Sequence, residues 1–293
     1  ASYLFILLRV TAVILGILLV VVVPAFGVGR WINDRLGIDF QPREQAVVHI
    51  AVGIIVQVFA LFILGSLNLL IMPVVLPVLL FPALLFWRSS WLLLQQLTFR
   101  RFSSTTDLNW LGVSSLVILL LLLGLSIVQL IRPYPFGFDA LSLYMNLAAL
   151  ISDYEGLVEG FQPYNWSLLM AVGYIVFGMT EMALGISMLG AILSLFALYH
   201  LSRRWLNVNH AILTSLLFYS LPTVVFQTYK DMKVDMGLLF IMIAAIIVFV
   251  NWVEKIVRVE GAIPSLAKLA TPSPDLLVSP LSFWQKNNAI AIL

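Results

Sequence analysis

The chain has 293 residues, of which 62% are hydrophobic and 10% charged, against about a quarter charged in ordinary soluble domains. So few charges cannot cover a surface that faces water, which excludes a soluble fold. A net charge of +2 is too small to mark a nucleic-acid partner. The absence of cysteine excludes disulfides, thiol catalysis and thiolate metal sites.

A membrane-crossing helix needs about 20 mostly apolar residues. In chain order the runs that qualify are 4–26, 46–66, 68–87, 111–131, 182–200, 210–227 and 236–253. They predict an all-α, polytopic transmembrane bundle with at least seven spans. The third run contains Pro73, Pro77 and Pro82; neighbouring helices can re-satisfy the carbonyls that proline frees, so a kinked span is expected. A shorter apolar segment, Trp166 to Phe177, is expected to lie at the interface or to dip in and return. Residues 254–288 carry Pro264, Pro272, Pro274 and Pro280 and read as an irregular cytoplasmic connector, with an interfacial stretch near Phe283 and Trp284. The apolar stretch from Ala289 to Leu293 reads as the start of a further span, and the natural chain is expected to extend beyond both ends. The organisation expected is three helices in 1–110, a core in 111–253 with outer loops at 132–181 and 227–236, and the connector in 254–293.

Lysine and arginine set the orientation. With the N-terminus outside and 166–177 not crossing, Arg30, Arg35, Arg43, Arg88, Arg100, Arg101, Arg203, Arg204, Lys255, Arg258 and Lys268 fall on the cytoplasmic side. The outside then holds Arg132, Lys230 and Lys233, with Arg9 near its membrane edge. It also receives Asp139, Asp153, Glu155, Glu159, Glu181, Asp231 and Asp235. The chemically varied residues therefore face outside, and the cytoplasmic loops are basic and plain.

The first outer loop opens with Pro133 and Pro135, which stop the preceding span, and turns at Gly137. A helix is expected from about Asp139 to Ile151. Asp139, Ser142, Asn146 and Asp153 share one face of it, which predicts an amphipathic helix lying along the membrane surface. Asp139 is placed to cap this helix, a role worth about 1 kcal/mol, or to do chemistry; the two are compatible. The second outer loop packs Lys230, Asp231, Lys233 and Asp235 into six residues at the membrane edge. Charges so close to hydrocarbon need partners or an aqueous cavity. The loop is either a solvated turn with local ion pairs or a pocket edge where lysines meet a phosphate.

His49, His200 and His210 are the only histidines, all at or near the inner edge, where helix-end and interhelical hydrogen bonds are the usual roles. No Walker, nucleophile-elbow or zinc-protease motif occurs, and no set of acids has metal-ligand spacing.

The order of these features resembles the membrane-embedded C-type glycosyltransferases, the GT-C superfamily. Nearest in kind are aminoarabinose transferase, the protein mannosyltransferases and bacterial lipopolysaccharide sugar transferases of the Rgt kind. The resemblance covers about residues 111–253. It rests on an aspartate opening a surface helix with a tyrosine soon after (Asp139, Tyr144), an apolar segment ending at Gly178, an acid before the next span (Glu181), an arginine pair closing it (Arg203, Arg204), a late proline (Pro222) and a short loop into Asp235. The family's acidic pair in the first loop is reduced here to Asp139 followed by Ala140.

The resemblance implies a GT-C-like fold and transfer of a sugar from a polyprenyl-phosphate lipid on the extracytoplasmic face of a bacterial plasma membrane. It implies Asp139 as the base or acceptor-orienting residue and a second catalytic acid from the later loop, Asp235 or Asp231. Tyr144, Asp231, Lys230, Lys233 and Arg132 would line the substrate. The partners implied are the lipid-linked donor and membrane lipids, with other membrane subunits left open; no cofactor is indicated, and a divalent metal is left open without being called for. The alternative reading is a non-catalytic subunit of a larger membrane complex, a degenerate relative of that fold. A transporter is the third, with Gln57, Asn68 and Gln129 the nearest to mid-membrane polar groups and none a strong coupling site.

Overall fold

The computed structural model describes residues 2–88, 91, 108–131, 137, 139–160, 164–229 and 233–259. The first helix, α1 (Ser2–Ile17), passes through a π-helical turn at Leu18–Val22 into α2 (Val23–Leu36). The remaining helices are α3 (Gln45–Ser66), α4 (Met72–Leu85), α5 (Trp110–Val128), α6 (Met145–Asp153), α7 (Asn165–Phe177), α8 (Thr180–Ser202), α9 (Val208–Tyr219), α10 (Pro222–Tyr229) and α11 (Asp235–Val259). The chain divides into two units, Ala1–Val248 and Phe249–Leu293. The described part of the second unit, 249–259, is helical.

Among the described residues, five helices are long and apolar enough to cross a membrane: Leu4–Leu36, Gln45–Ser66, Trp110–Val128, Thr180–Ser202 and Asp235–Ile256. A sixth span results if α9 and α10, bent by 74° at their break, are one. Over the described residues the chain is an all-helical integral membrane protein. Three apolar runs differ in form from the sequence expectation. The first extends to Leu36, ten residues past the apolar stretch, because Gly37 ends it in a left-handed conformation (φ 62°) with its N–H on the carbonyls of Asn33 and Asp34. The third is reduced to α4, 14 residues, about 21 Å of helix against roughly 30 Å of hydrocarbon. The run 210–227 breaks where Pro222 starts a new helix, since proline cannot donate to the preceding turn.

Backbone contact between α2 and α3 requires glycine. A Cβ at Gly29 would stand 1.8 Å from the carbonyl oxygen of His49, and one at Gly53 1.8 Å from that of Ala25. This is the small-residue crossing of membrane helices, with four-residue spacing on both partners. One step away, the π-helical turn frees a carbonyl, and buried Gln57 donates its Nε2 to Val21 O at 3.1 Å. A mid-helix glutamine therefore serves a helix irregularity.

Contacts sort the ends of the helices in the first unit into two groups. At one end Glu44 pairs with Arg204, Arg43 donates to Arg203 O, and Asn109 N–H donates to Asn209 Oδ1. At the other end the turn after α3 is stitched to the segment after α6, by Leu70 N–H to Glu155 O at 2.8 Å and Leu157 N–H to Gly65 O at 3.2 Å. Arg9 and Glu181 also pair beyond that end. The helical rise from Glu44 to Gly65 is about 31 Å, and from Arg204 to Ser187 about 26 Å. Both match the thickness of a bilayer core.

Helix α7 folds back along α8 through the turn at Gly178. Its Trp166 Nε1 donates to Ile186 O, and Gly173 abuts Ala183. It thus accompanies only the first turns of α8. Short α4 runs from the Leu70 end to Phe86, whose ring stacks on Trp31 at 5.6 Å.

Candidate functional site

The site expected at the outer loops is built from α6, α8 and the start of α11. A π-helical turn, Ala140–Tyr144, leads into α6. Its sidedness is as the spacing predicts: Asp139, Ser142, Asn146 and Asp153 are exposed, while Leu147, Ala148 and Ile151 are buried. The wider π turn also leaves Leu141 and Leu143 exposed. Tyr144 is half-buried against the main core.

The second loop is held from below by α8. Ser187 Oγ donates to Lys233 O at 2.9 Å, and Ser194 Oγ donates to Met236 O at 2.7 Å. Between those hydroxyls Gly190 meets the backbone of Gly237, and a Cβ on Gly237 would strike the Trp166 ring 2.1 Å away. Val234 and Met236 are buried. Two hydroxyls, a glycine contact and an indole therefore fix the backbone that presents Lys233 and Asp235.

The two loops meet. Lys233 Nζ lies 3.0 Å from Asp139 Oδ2, with the lysine side chain 18% exposed and the aspartate 59%. Asp235 accepts instead from Gln227 Nε2 at 3.1 Å and is exposed. One residue, Val234, separates Lys233 from Asp235, so their Cα atoms lie within about 7 Å. Arg132, Lys230 and Asp231 lie outside the described residues.

The segment between α6 and α7 is pinned by Tyr164, whose hydroxyl donates to Val158 O. Burial, and secondarily the charge of Glu159, raises the Tyr164 phenol above its ordinary range, so it remains a protonated donor. Its ring faces Phe62 of α3 at 6.3 Å.

Sequence reasoning placed Arg9 and Glu181 on the outer side but did not pair them, and it missed Ser187 and Ser194. The signal for the serines was present: Ser187, Gly190 and Ser194 fall at helical spacing of three and four, a small polar stripe of the kind that grips a neighbouring backbone in membranes. The histidines have packing partners. His49 meets Phe26 edge-on at 5.4 Å, His200 lies between Phe196 and Tyr199, and His210 Nδ1 lies 2.8 Å from Asn207 Oδ1. Among the described residues no three His, Asp or Glu side chains converge on a metal position.

Chemically, the two loops offer a largely exposed carboxylate beside an ammonium on a rigid anchor, at the edge of apolar helices. Comparison with known proteins adds nothing to this: no protein family, no curated protein and no solved structure matches the chain.

Proposed function

We propose that the protein is a GT-C-type glycosyltransferase that moves a sugar from a polyprenyl-phosphate lipid to an acceptor on the extracytoplasmic face of a bacterial plasma membrane. The observation that carries this reading is the 3.0 Å contact between Asp139 and Lys233, which joins the two outer loops. In the reaction, an acceptor hydroxyl oxygen attacks the anomeric carbon and the bond from that carbon to the phosphate oxygen breaks. The hydroxyl proton passes to Asp139. The electron pair leaves with the polyprenyl phosphate, whose charge Lys233 stabilises, with Lys230 and Arg132 as further cations of the same loops. Asp235 orients the polar substrate, and Tyr144 lines its path.

The proposed topology has seven spans, counting α4 as a short third and the α9–α10 pair as the sixth. The N-terminus is then outside, α7 does not cross, and the Glu44–Arg204 end is cytoplasmic. Support comes from the separation of the two helix-end groups and from the arginines gathered at the Glu44 end. The direct test incubates membranes containing the protein with polyprenyl-phosphate sugars and follows release of polyprenyl phosphate; Asp139→Ala is expected to abolish it.

The competing reading, a non-catalytic subunit of a larger membrane complex, is favoured by Ala140 standing where the family carries a second acid. It predicts no release in either the wild type or the variant, and co-purification with other membrane subunits.

A further inference from the structure

Asp139 is already engaged by the cation that the proposed reaction assigns to the leaving phosphate. While the two are in contact, the carboxylate and the ammonium occupy one another, and the lysine is not free to meet a phosphate. We propose that the Asp139–Lys233 contact is the resting state of the site, and that the donor's phosphate displaces Asp139 from Lys233 and thereby releases the base to the acceptor. The inference rests on the glycosyltransferase reading and adds to it an order of binding, donor before acceptor.

The two partners differ in how firmly they are held. Lys233 is anchored: its carbonyl receives Ser187 Oγ, Val234 beside it is buried, and Gly237 sits against Gly190 and Trp166. Its side chain is mostly covered, whereas that of Asp139 is largely in water. Asp139 also stands beside the π-helical turn at the start of the surface helix. The lysine is therefore the fixed element and the aspartate the one that leaves. The phosphate of a polyprenyl-phosphate sugar is a diester with one full charge shared by two unesterified oxygens, the same count as a carboxylate, so it competes for the same ammonium. An ion pair this exposed is weak enough to exchange.

The test uses the full chain in nanodiscs of neutral lipid, titrated without acceptor with a long-chain polyprenyl phosphate that carries its sugar. Parallel titrations use inorganic phosphate and the neutral polyprenol. Removing the internal competitor with Asp139→Asn is expected to tighten binding of the polyprenyl phosphate by about two- to five-fold, the equivalent of an exposed ion pair. Lys233→Gln is expected to weaken it by about ten-fold, the loss of one charge-assisted contact. Polyprenol is expected to be indifferent to both changes. Asp139→Asn leaving affinity unchanged or weaker, while Lys233→Gln still lowers it, overturns the displacement and leaves the phosphate-binding reading standing. Wild-type protein that does not bind the polyprenyl phosphate overturns the glycosyltransferase reading and the displacement with it. Inorganic phosphate reproducing both shifts assigns Lys233 to a soluble anion and overturns gating by a lipid donor.

Discussion

Glu44 and Arg204 stand 160 positions apart in the chain and meet with almost no exposure, at 2% for the arginine side chain and 0% for the glutamate. Two parallel contacts, Nε to Oε1 and Nη2 to Oε2 at 2.6 Å for the latter, make the pair bidentate, a geometry that only arginine can supply. Removing one partner would strand the other charge without water. Glu44→Gln should therefore destabilise the protein by about 3–5 kcal/mol, whereas the double change Glu44→Gln with Arg204→Met should recover part of that loss. Thermal unfolding of the detergent-solubilised protein checks both; a single variant as stable as wild type would show that the pair does not hold the α3 and α8 ends together. Sequence could mark Arg203 and Arg204 as inner-side cations but could not find Glu44 as a partner, because nothing local encodes a contact across 160 residues. The same limit hid the pairing of Asp139 with Lys233 and of Arg9 with Glu181, although the charge map had assigned all four residues to one side.

At the scale of helices, period and composition carried most of the information. The surface helix beginning at Asp139 was predictable because its polar residues repeat at helical spacing, and residues 146, 147 and 148 fall on the faces that this spacing assigns. Two irregularities were not predictable from composition. The π-helical turn at Leu18–Val22 lies in a run of leucine and valine whose local mark is Pro24 just beyond it, a proline without the N–H that continues the ladder, and Gln57 satisfies the carbonyl of Val21. The bend between α9 and α10 had its mark in Pro222, but the apolar run continues past it, so composition alone reads one straight span. Glycine content likewise did not reveal which glycines matter. At Gly29 and Gly53 a methyl group would meet a backbone carbonyl, which cannot move aside, whereas Gly124 has open space around it. Gly29→Ala or Gly53→Ala should cost about 1–3 kcal/mol through overpacking, and Gly124→Ala should be tolerated. Equal melting temperatures for all three variants would mean that α2 and α3 do not cross as closely as described.

For the whole molecule, the proposal fixes which end of the bundle faces which compartment. The absence of cysteine from these 293 residues permits single-cysteine labelling of this chain without background. Glu159→Cys, in the exposed segment before α7, should react with an impermeant maleimide in intact cells. Leu206→Cys, exposed between α8 and α9, should react only after permeabilisation. The reverse pattern would put the Asp139–Lys233 contact on the cytoplasmic side and remove it from a donor presented outside.

The most direct measurement is turnover. Purified protein in proteoliposomes, supplied with polyprenyl-phosphate sugars and a hydroxyl acceptor, should release polyprenyl phosphate. Asp139→Ala should lower the rate by about two to four orders of magnitude, the usual contribution of a general base, while still binding the polyprenyl phosphate. Release that is absent from the wild type with every donor tried, or unchanged in the Asp139→Ala protein, would contradict the assignment of this site to sugar transfer.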